Sequence, residues 1–135
     1  MSYDVHSAER TIPYSFAVLH VVPHVYVGAC SAVGIVLHAP TERFVAMRAL
    51  TDASALARRV PDVDVELLHR YLSTYQAACE ADESAGALAL GSPSERFHWL
   101  TAPRSDVIQS GAVHEGVCID PAAELETLFR EIVRP

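Results

Sequence analysis

Hydrophobic and polar positions alternate over the first fifty residues, and this pattern predicts β-strands. Residues 12–27, IPYSFAVLHVVPHVYV, are rich in the β-branched and aromatic residues that strands favour. Pro23 should end or edge this strand, because it has no N–H to donate to a ladder. A second strand is predicted over residues 31–40, and Thr41-Glu42-Arg43 forms the turn into a third, FVAMRAL. These spacings favour an antiparallel meander of two or three strands.

After residue 52 the apolar residues recur at intervals of three and four, which predicts helices. The first helix stops at Pro61 and has one face formed by Ala53, Leu56, Ala57 and Val60. A longer helix follows, with Asp64 and Glu66 at its N-terminus, where negative charge is favoured. Its apolar stripe consists of Leu68, Tyr71, Leu72, Tyr75 and Cys79. Residues 80–92 then mix charge, glycine and serine, which predicts a flexible connection.

Helix N-terminal signals organise the last third of the chain. Ser92-Pro93-Ser94-Glu95 has the form of a capping box and predicts a short helix through Trp99 that Pro103 terminates. A strand is predicted over residues 106–109, and Asp120-Pro121 caps a final helix whose apolar face packs on the sheet. We therefore predict one α+β domain over residues 1–135, with a small, mainly antiparallel sheet packed with three or four helices. Residues 1–10 are its candidate disordered segment.

Composition narrows the classes of function. The 135 residues are 50% hydrophobic and 20% charged, which is typical of a globular protein. The net charge is −7, and all 10 basic residues are arginine. An acidic surface repels phosphate backbones, so nucleic-acid binding is disfavoured. Without lysine, Schiff-base and P-loop lysine chemistry are excluded.

The cysteines and the N-terminal segment indicate the compartment. The three cysteines, Cys30, Cys79 and Cys118, lie far apart, so neither a disulfide framework nor a CxxC metal site is suggested. The N-terminus resembles no signal peptide, and no apolar run is long enough to span a membrane. We expect a cytoplasmic protein.

Candidate chemistry is concentrated in the segment from Ser94 to Cys118, SERFHWLTAPRSDVIQSGAVHEGVC. Two arginines flank the only tryptophan and lie near hydroxyls, a combination that binds carboxylates or phosphates through forked hydrogen bonds and stacking. The alternative is a packed tryptophan with solvated arginines. The predicted site residues are Arg96, His98, Trp99, Arg104, Ser105 and His114.

Other chemistry has weaker support in the sequence. A nucleophile such as Ser105, Ser110 or Cys118 would need His98 or His114 as its base, and no GxSxG elbow is present. His20 and His24 lie on one face of the predicted first strand, but roughly 13 Å apart from the rise per residue, too far to share an ion. The sequence therefore predicts neither a metal nor a cofactor.

Three blocks carry a family resemblance: YSFAVLHVVPHV from Tyr14, VGIVLHAPTERF from Val33, and ERFHWLTAPRSDVIQSGAVHEG from Glu95. They resemble the bacterial family known as domain of unknown function 3037. The resemblance implies no established activity. Members often neighbour HipA-like kinases in genomes, so it also implies a protein partner of that kind. This chain departs from the family pattern at Ala32, where members usually have asparagine.

The sequence supports two functional hypotheses and leaves open whether the protein is an enzyme. The leading hypothesis is a nonenzymatic binding or accessory protein that contacts a protein partner or a small anionic ligand through the predicted site residues. The alternative is a small enzyme that uses histidine acid–base chemistry in residues 94–118.

Overall fold

Five strands form one open sheet in the computed structural model, which describes residues 10–22, 31–61, 63–103 and 107–134. All the described pairings are antiparallel. The strands are β1 Ile12–Val21, β2 Ser31–Ala39, β3 Phe44–Ala49, β4 Ile108–Ser110 and β5 His114–Cys118. The predicted meander is confirmed by β1, β2 and β3. Pro23, His24 and residues 1–9 of the candidate disordered segment lie outside the described residues.

The second strand is the centre of the sheet. All its residues from Val33 to Ala39 are buried, because β1 and β3 flank it and helices cover both of its faces. At its end, a 3-10 turn over Pro40–Glu42 leads into Arg43, which takes a left-handed conformation with φ of 50° before β3 begins. The predicted turn at residues 41–43 is therefore confirmed.

The strands β4 and β5 are two parts of one edge strand. Both run antiparallel to β1, β4 beside its end and β5 beside its start, and the Gly111 N–H donates to Val18 O between them. The register changes by one residue across Ala112 and Val113, which is the mark of a β-bulge. The sequence predicted a strand at residues 106–109, two residues early, and did not predict β5.

Four α-helices lie in the described residues: α1 Ala53–Arg59, α2 Val65–Cys79, α3 Pro93–Thr101 and α4 Pro121–Leu128. The last continues as a π-helical turn over Phe129–Val133. The two predicted caps are present, since the side chains of Ser92 and Asp120 accept hydrogen bonds from first-turn N–H groups. Asp52 and Asp64 cap α1 and α2 in the same way.

Two helix predictions need qualification. The segment predicted as a flexible connection contains 3-10 turns over Glu83–Leu90, with Gly86 at φ of 68° between them. Leu56 of α1 and Val60, which caps its C-terminus, are buried as expected, but Ala53 and Ala57 are exposed.

Helices cover both faces of the sheet. Ser15, His38 and Val45 lie side by side on one face, which we call the α3 face because α3 packs over His38. Tyr14 and Arg48 belong to the other, the α4 face, where they contact Glu124 and Phe129. One hydrophobic core joins the two layers through β2. The α+β class with a mainly antiparallel sheet is therefore confirmed.

Candidate functional site

Arg96 ties α3 to the preceding segment. Its Nε donates to the Cys79 carbonyl oxygen at 3.3 Å, and its Nη1 donates to the Gly91 carbonyl oxygen at 2.5 Å. These carbonyls belong to the C-terminus of α2 and to the loop before α3. The guanidinium therefore forms hydrogen bonds within the chain, and its Nε and Nη1 donors face these two carbonyls and not a ligand.

Trp99 lies at the margin of the core. It is partly buried, and its ring centroid is 5.6 Å from that of Tyr75 in α2, with the rings tilted by 58°. The Tyr75 hydroxyl in turn donates to the Ile108 carbonyl oxygen at 3.3 Å. The indole thus packs from α3 against α2, while the neighbouring His98 is exposed.

His114 lies on the other side of the sheet from α3. It is directly opposite Phe16 in the β1–β5 pair, and the two ring centroids are 5.3 Å apart. Phe16 belongs to the α4 face, so the sheet separates His114 from His98 and Trp99. The remaining predicted site residues, Arg104 and Ser105, lie outside the described residues. The structure brings Arg96, His98 and Trp99 together on α3 and places His114 elsewhere.

A pair that the sequence analysis missed is His38 with Ser94. His38 is 8% exposed, yet its Nε2 lies 3.1 Å from Oγ of Ser94, which is exposed in the first turn of α3. The Phe97 ring stacks on the imidazole, with the ring centroids 5.1 Å apart. Burial lowers the pKa of His38 below 6.5, so the ring is neutral at pH 7. The available signal was the histidine inside an otherwise apolar second strand.

A row of polar side chains crosses the α3 face at this point. Ser15 lies opposite His38 on one side and opposite Glu115 of β5 on the other. The outer part of this row opens into a shallow groove of about 510 Å³. The groove is lined by Pro13, Tyr14, Ser15, Pro40, Glu115, Gly116 and Val117.

The edge strand and its two ends carry exposed apolar side chains. Val113, Val117 and Ile119 are 47%, 64% and 62% exposed. Val117 lies within β5, and Val113 and Ile119 lie at its two ends. Among the described residues, the fourth large exposed hydrophobic side chain is Leu90, the last residue of the 3-10 turns that precede α3. Three of these four side chains thus lie along β5 and its two ends.

The described part of the chain shows no group of three or more metal-ligating side chains and no helix long and apolar enough to cross a membrane. Ala32, where relatives were expected to have asparagine, is the second residue of β2, and its carbonyl oxygen accepts a hydrogen bond from Arg59 at 3.2 Å. The backbone at this position therefore has a structural role that does not depend on the side chain.

Together these features define an α+β protein with helices on both faces of an antiparallel sheet and an open groove beside an exposed edge strand. The chain belongs to the family described as protein of unknown function DUF3037, whose model matches residues 16–133. Comparison with curated proteins and with solved structures gave no match. The resemblance inferred from the three sequence blocks is confirmed.

Proposed function

We propose that the protein is a nonenzymatic binding protein whose binding surface is the β4–β5 edge strand. The observation that carries this proposal is the exposure of Val117 within β5 and of Val113 and Ile119 at its two ends. Isolated exposed apolar side chains are common, but a line of them on a sheet edge marks an interaction site. The occupant that fits is an extended strand of a protein partner, added to the sheet by backbone hydrogen bonds.

The edge is open to such an addition. Among the described strands, β5 pairs with β1 alone, so its outer N–H and C=O groups face away from the sheet. Natural edge strands are commonly protected by charged side chains, proline or β-bulges. β5, HEGVC, contains neither lysine nor proline, and its protection is limited to the exposed Glu115 and to the bulge that precedes the strand. The adjoining groove on the α3 face gives room for side chains of the added strand.

The geometry favours a protein partner over a small anionic ligand. The anion site was predicted around Arg96, and that guanidinium donates to two backbone carbonyls of its own chain. A ligand that took these two donors would have to displace the hydrogen bonds that hold the segment between α2 and α3. An edge strand requires no such rearrangement.

Binding of a purified HipA-like kinase, the partner class that the family resemblance implies, tests the proposal. Val117→Lys places a charge in the centre of the edge and should weaken binding about tenfold or more. Leu90→Lys is the matched control, because Leu90 is equally apolar and 89% exposed but lies outside the edge strand. Equal binding by the two variants, or hydrogen-exchange protection that spares β5 in the complex, would show that the edge is not the binding surface.

The hydrogen bond between Ser94 and His38 favours a second candidate, a small enzyme with histidine acid–base chemistry. With the ring proton on Nδ1, the neutral His38 Nε2 accepts the hydroxyl proton while Ser94 Oγ attacks an electrophilic centre. His98 and His114 are both exposed and lie on opposite sides of the sheet, so these two histidines cannot act together at one site.

A fluorophosphonate probe tests the second candidate. An Oγ–P bond forms at Ser94, fluoride leaves, and the hydroxyl proton passes to His38. Labelling should disappear in Ser94→Ala and persist in Ser73→Ala, which removes an exposed serine of α2. A wild-type protein that is not labelled at Ser94 would remove this candidate.

A further inference from the structure

The α3 face of the β5 edge has two chemically different halves. In one half the exposed Glu115 lies beside Ser15, its partner in β1, and in the other the exposed Val117 lies beside Pro13. All four residues line the open groove of about 510 Å³. The groove therefore offers a negatively charged half and an apolar half to a strand that is added to the edge.

The Glu115 carboxylate is available to a partner. It forms no hydrogen bond or ion pair with the described residues, in which the ion pair present joins Arg48 and Glu126. The chain as a whole has a net charge of −7 and contains no lysine. Both the local carboxylate and the overall charge favour a basic partner.

We infer that the added strand runs antiparallel to β5 and carries an apolar residue followed, two residues later, by lysine or arginine. This inference rests on the proposed function and names the chemistry of its partner. Side chains on one face of a strand recur every second residue, about 7 Å apart, and this is also the spacing of Glu115 and Val117. In an antiparallel pair the residue opposite Val117 comes first, and the basic residue opposite Glu115 follows it.

The direction of the added strand follows from the sheet. All the described strand pairs are antiparallel. Antiparallel pairing is also slightly more stable per residue than parallel pairing. An antiparallel addition at β5 therefore continues the existing pattern.

The residue between the apolar and the basic position faces the α4 side of the sheet, next to Gly116. The Tyr14 ring occupies the space over Gly116, since a Cβ added there would lie 2.9 Å from the Tyr14 hydroxyl oxygen. The hydrogen bond from this hydroxyl to Glu124 holds the ring in place. The middle residue is therefore expected to be small, and the choice of partner depends on the two positions of the α3 face.

The charge of the partner should change its affinity measurably. Opposite charges stabilise a cross-strand pair, and like charges directly opposite each other destabilise it. Exchanging lysine for glutamate in the partner loses the first effect and adds the second. We therefore expect the dissociation constant to rise about fivefold or more.

Peptide binding tests the inference. Short threonine-flanked peptides carry Val-Ala-Lys, Val-Ala-Glu or Lys-Ala-Val at their centre. Each is titrated into the isotope-labelled full chain while NMR follows the backbone amides of β5. Val-Ala-Lys should bind about fivefold or more tightly than Val-Ala-Glu, and also more tightly than Lys-Ala-Val, which has the same composition in the reverse order.

Reversing the charge on the protein completes the test. Glu115→Lys should bind Val-Ala-Glu more tightly than Val-Ala-Lys. Glu131→Lys is the matched control, because it makes the same change in net charge at an exposed position of the C-terminal π-helical turn, and it should keep the wild-type preference. Circular dichroism checks that both variants are folded.

Three results would overturn the inference. The first is equal binding of the lysine and glutamate peptides by the wild-type chain. The second is a preference that reverses in Glu131→Lys as it does in Glu115→Lys, because the charge effect would then not be local to the groove. The third is tighter binding of Lys-Ala-Val than of Val-Ala-Lys, because the added strand would then not be antiparallel.

The outcomes separate this inference from the proposed function. If Val117→Lys weakens kinase binding and Leu90→Lys does not, while the wild-type chain shows no preference for Val-Ala-Lys, the edge remains the binding surface and the basic partner strand is overturned. If no peptide shifts the amides of β5 at about 1 mM, the inference is overturned and the kinase assay alone decides on the proposed function. If Val117→Lys weakens neither kinase nor peptide binding, both are overturned.

Discussion

The burial of His38 has a free-energy cost. An imidazole in a strand buried on both faces loses its hydration, and the Ser94 hydroxyl and the Phe97 ring replace only part of it. The cost is lowest for the neutral ring, which is why burial lowers the pKa of His38. Stability should therefore depend on pH near the histidine range.

The sign of this dependence follows from proton binding. Below pH 6.5 the unfolded chain protonates His38, whereas the folded chain does so only at lower pH. The free energy of unfolding is therefore greatest above about pH 6.5 and falls as the pH drops toward the folded-state pKa. The pKa of His20 is also lowered, mainly by burial, and adds to the same slope.

Replacing His38 tests this account. His38→Gln removes one titrating group. The free energy of unfolding, measured with urea between about pH 7.5 and pH 5.5, should therefore change less with pH than it does in the wild type. His98→Gln is the matched control, because His98 is exposed on α3. If the free energy of unfolding depends on pH equally in all three proteins, the pH dependence cannot be assigned to His38.

Arg96 shows how a residue with a plausible binding role in the sequence can be structural in the fold. Its two hydrogen bonds hold the segment between α2 and α3, so Arg96→Ala should lower the free energy of unfolding by about 1–3 kcal/mol. Arg70→Ala, at an exposed position of α2, should change it by no more than about 0.5 kcal/mol. Urea midpoints measure both. If Arg96→Ala left the free energy of unfolding unchanged, the two hydrogen bonds would not be structural, and the guanidinium of the wild-type chain would again be a candidate for ligand binding.

At the scale of elements, predictability follows the strength of local signals. The capping box at Ser92 and the Asp120-Pro121 cap act over one helical turn, so they are legible without tertiary context. The strand β5 lacks such a signal. It lies on an edge with side chains exposed on both faces, and the bulge at Ala112–Val113 shifts its alternation by one residue.

The contact between β1 and α4 is an element-scale link that the sequence could not indicate, because its partners are far apart along the chain. The Tyr14 hydroxyl donates to Glu124 Oε2 at 2.7 Å, and burial together with this carboxylate raises the pKa of Tyr14 to about 12. Tyr14→Phe should therefore lower the free energy of unfolding by about 1–2 kcal/mol.

Tyr71→Phe is the control for this substitution, since the Tyr71 hydroxyl has no hydrogen bond to the described residues and lies on α2. Thermal or urea unfolding of the two variants measures the difference. If Tyr14→Phe is as stable as Tyr71→Phe, the hydrogen bond to Glu124 does not hold α4 on the sheet.

At the scale of the molecule, the candidate site was divided by topology. Residues 94–118 are contiguous in sequence, but α3 lies over one face of the sheet, and the chain then turns into the edge strand, where His114 points to the other face. Neighbourhood in sequence therefore predicted a single cluster where the fold makes two. Conversely, His38 and Ser94 are 56 residues apart and in hydrogen-bond contact.

The common core across β2 has a consequence for unfolding. Trp99 reports only from the α3 face, where it packs on Tyr75, whereas far-ultraviolet circular dichroism reports all helices. Because helices on both faces bury the same central strand, we expect the two signals to follow one transition in urea, with the same midpoint and slope.

Tyr14→Phe gives a stricter test of this single transition, because the substitution removes a hydrogen bond only on the α4 face. In a cooperative molecule the loss of one hydrogen bond there lowers the Trp99 midpoint as much as the dichroism midpoint, although Trp99 lies on the opposite side of the sheet. If the dichroism transition moved to lower urea while the Trp99 transition kept its wild-type midpoint, the two faces would unfold separately, and β2 would not couple them into one domain.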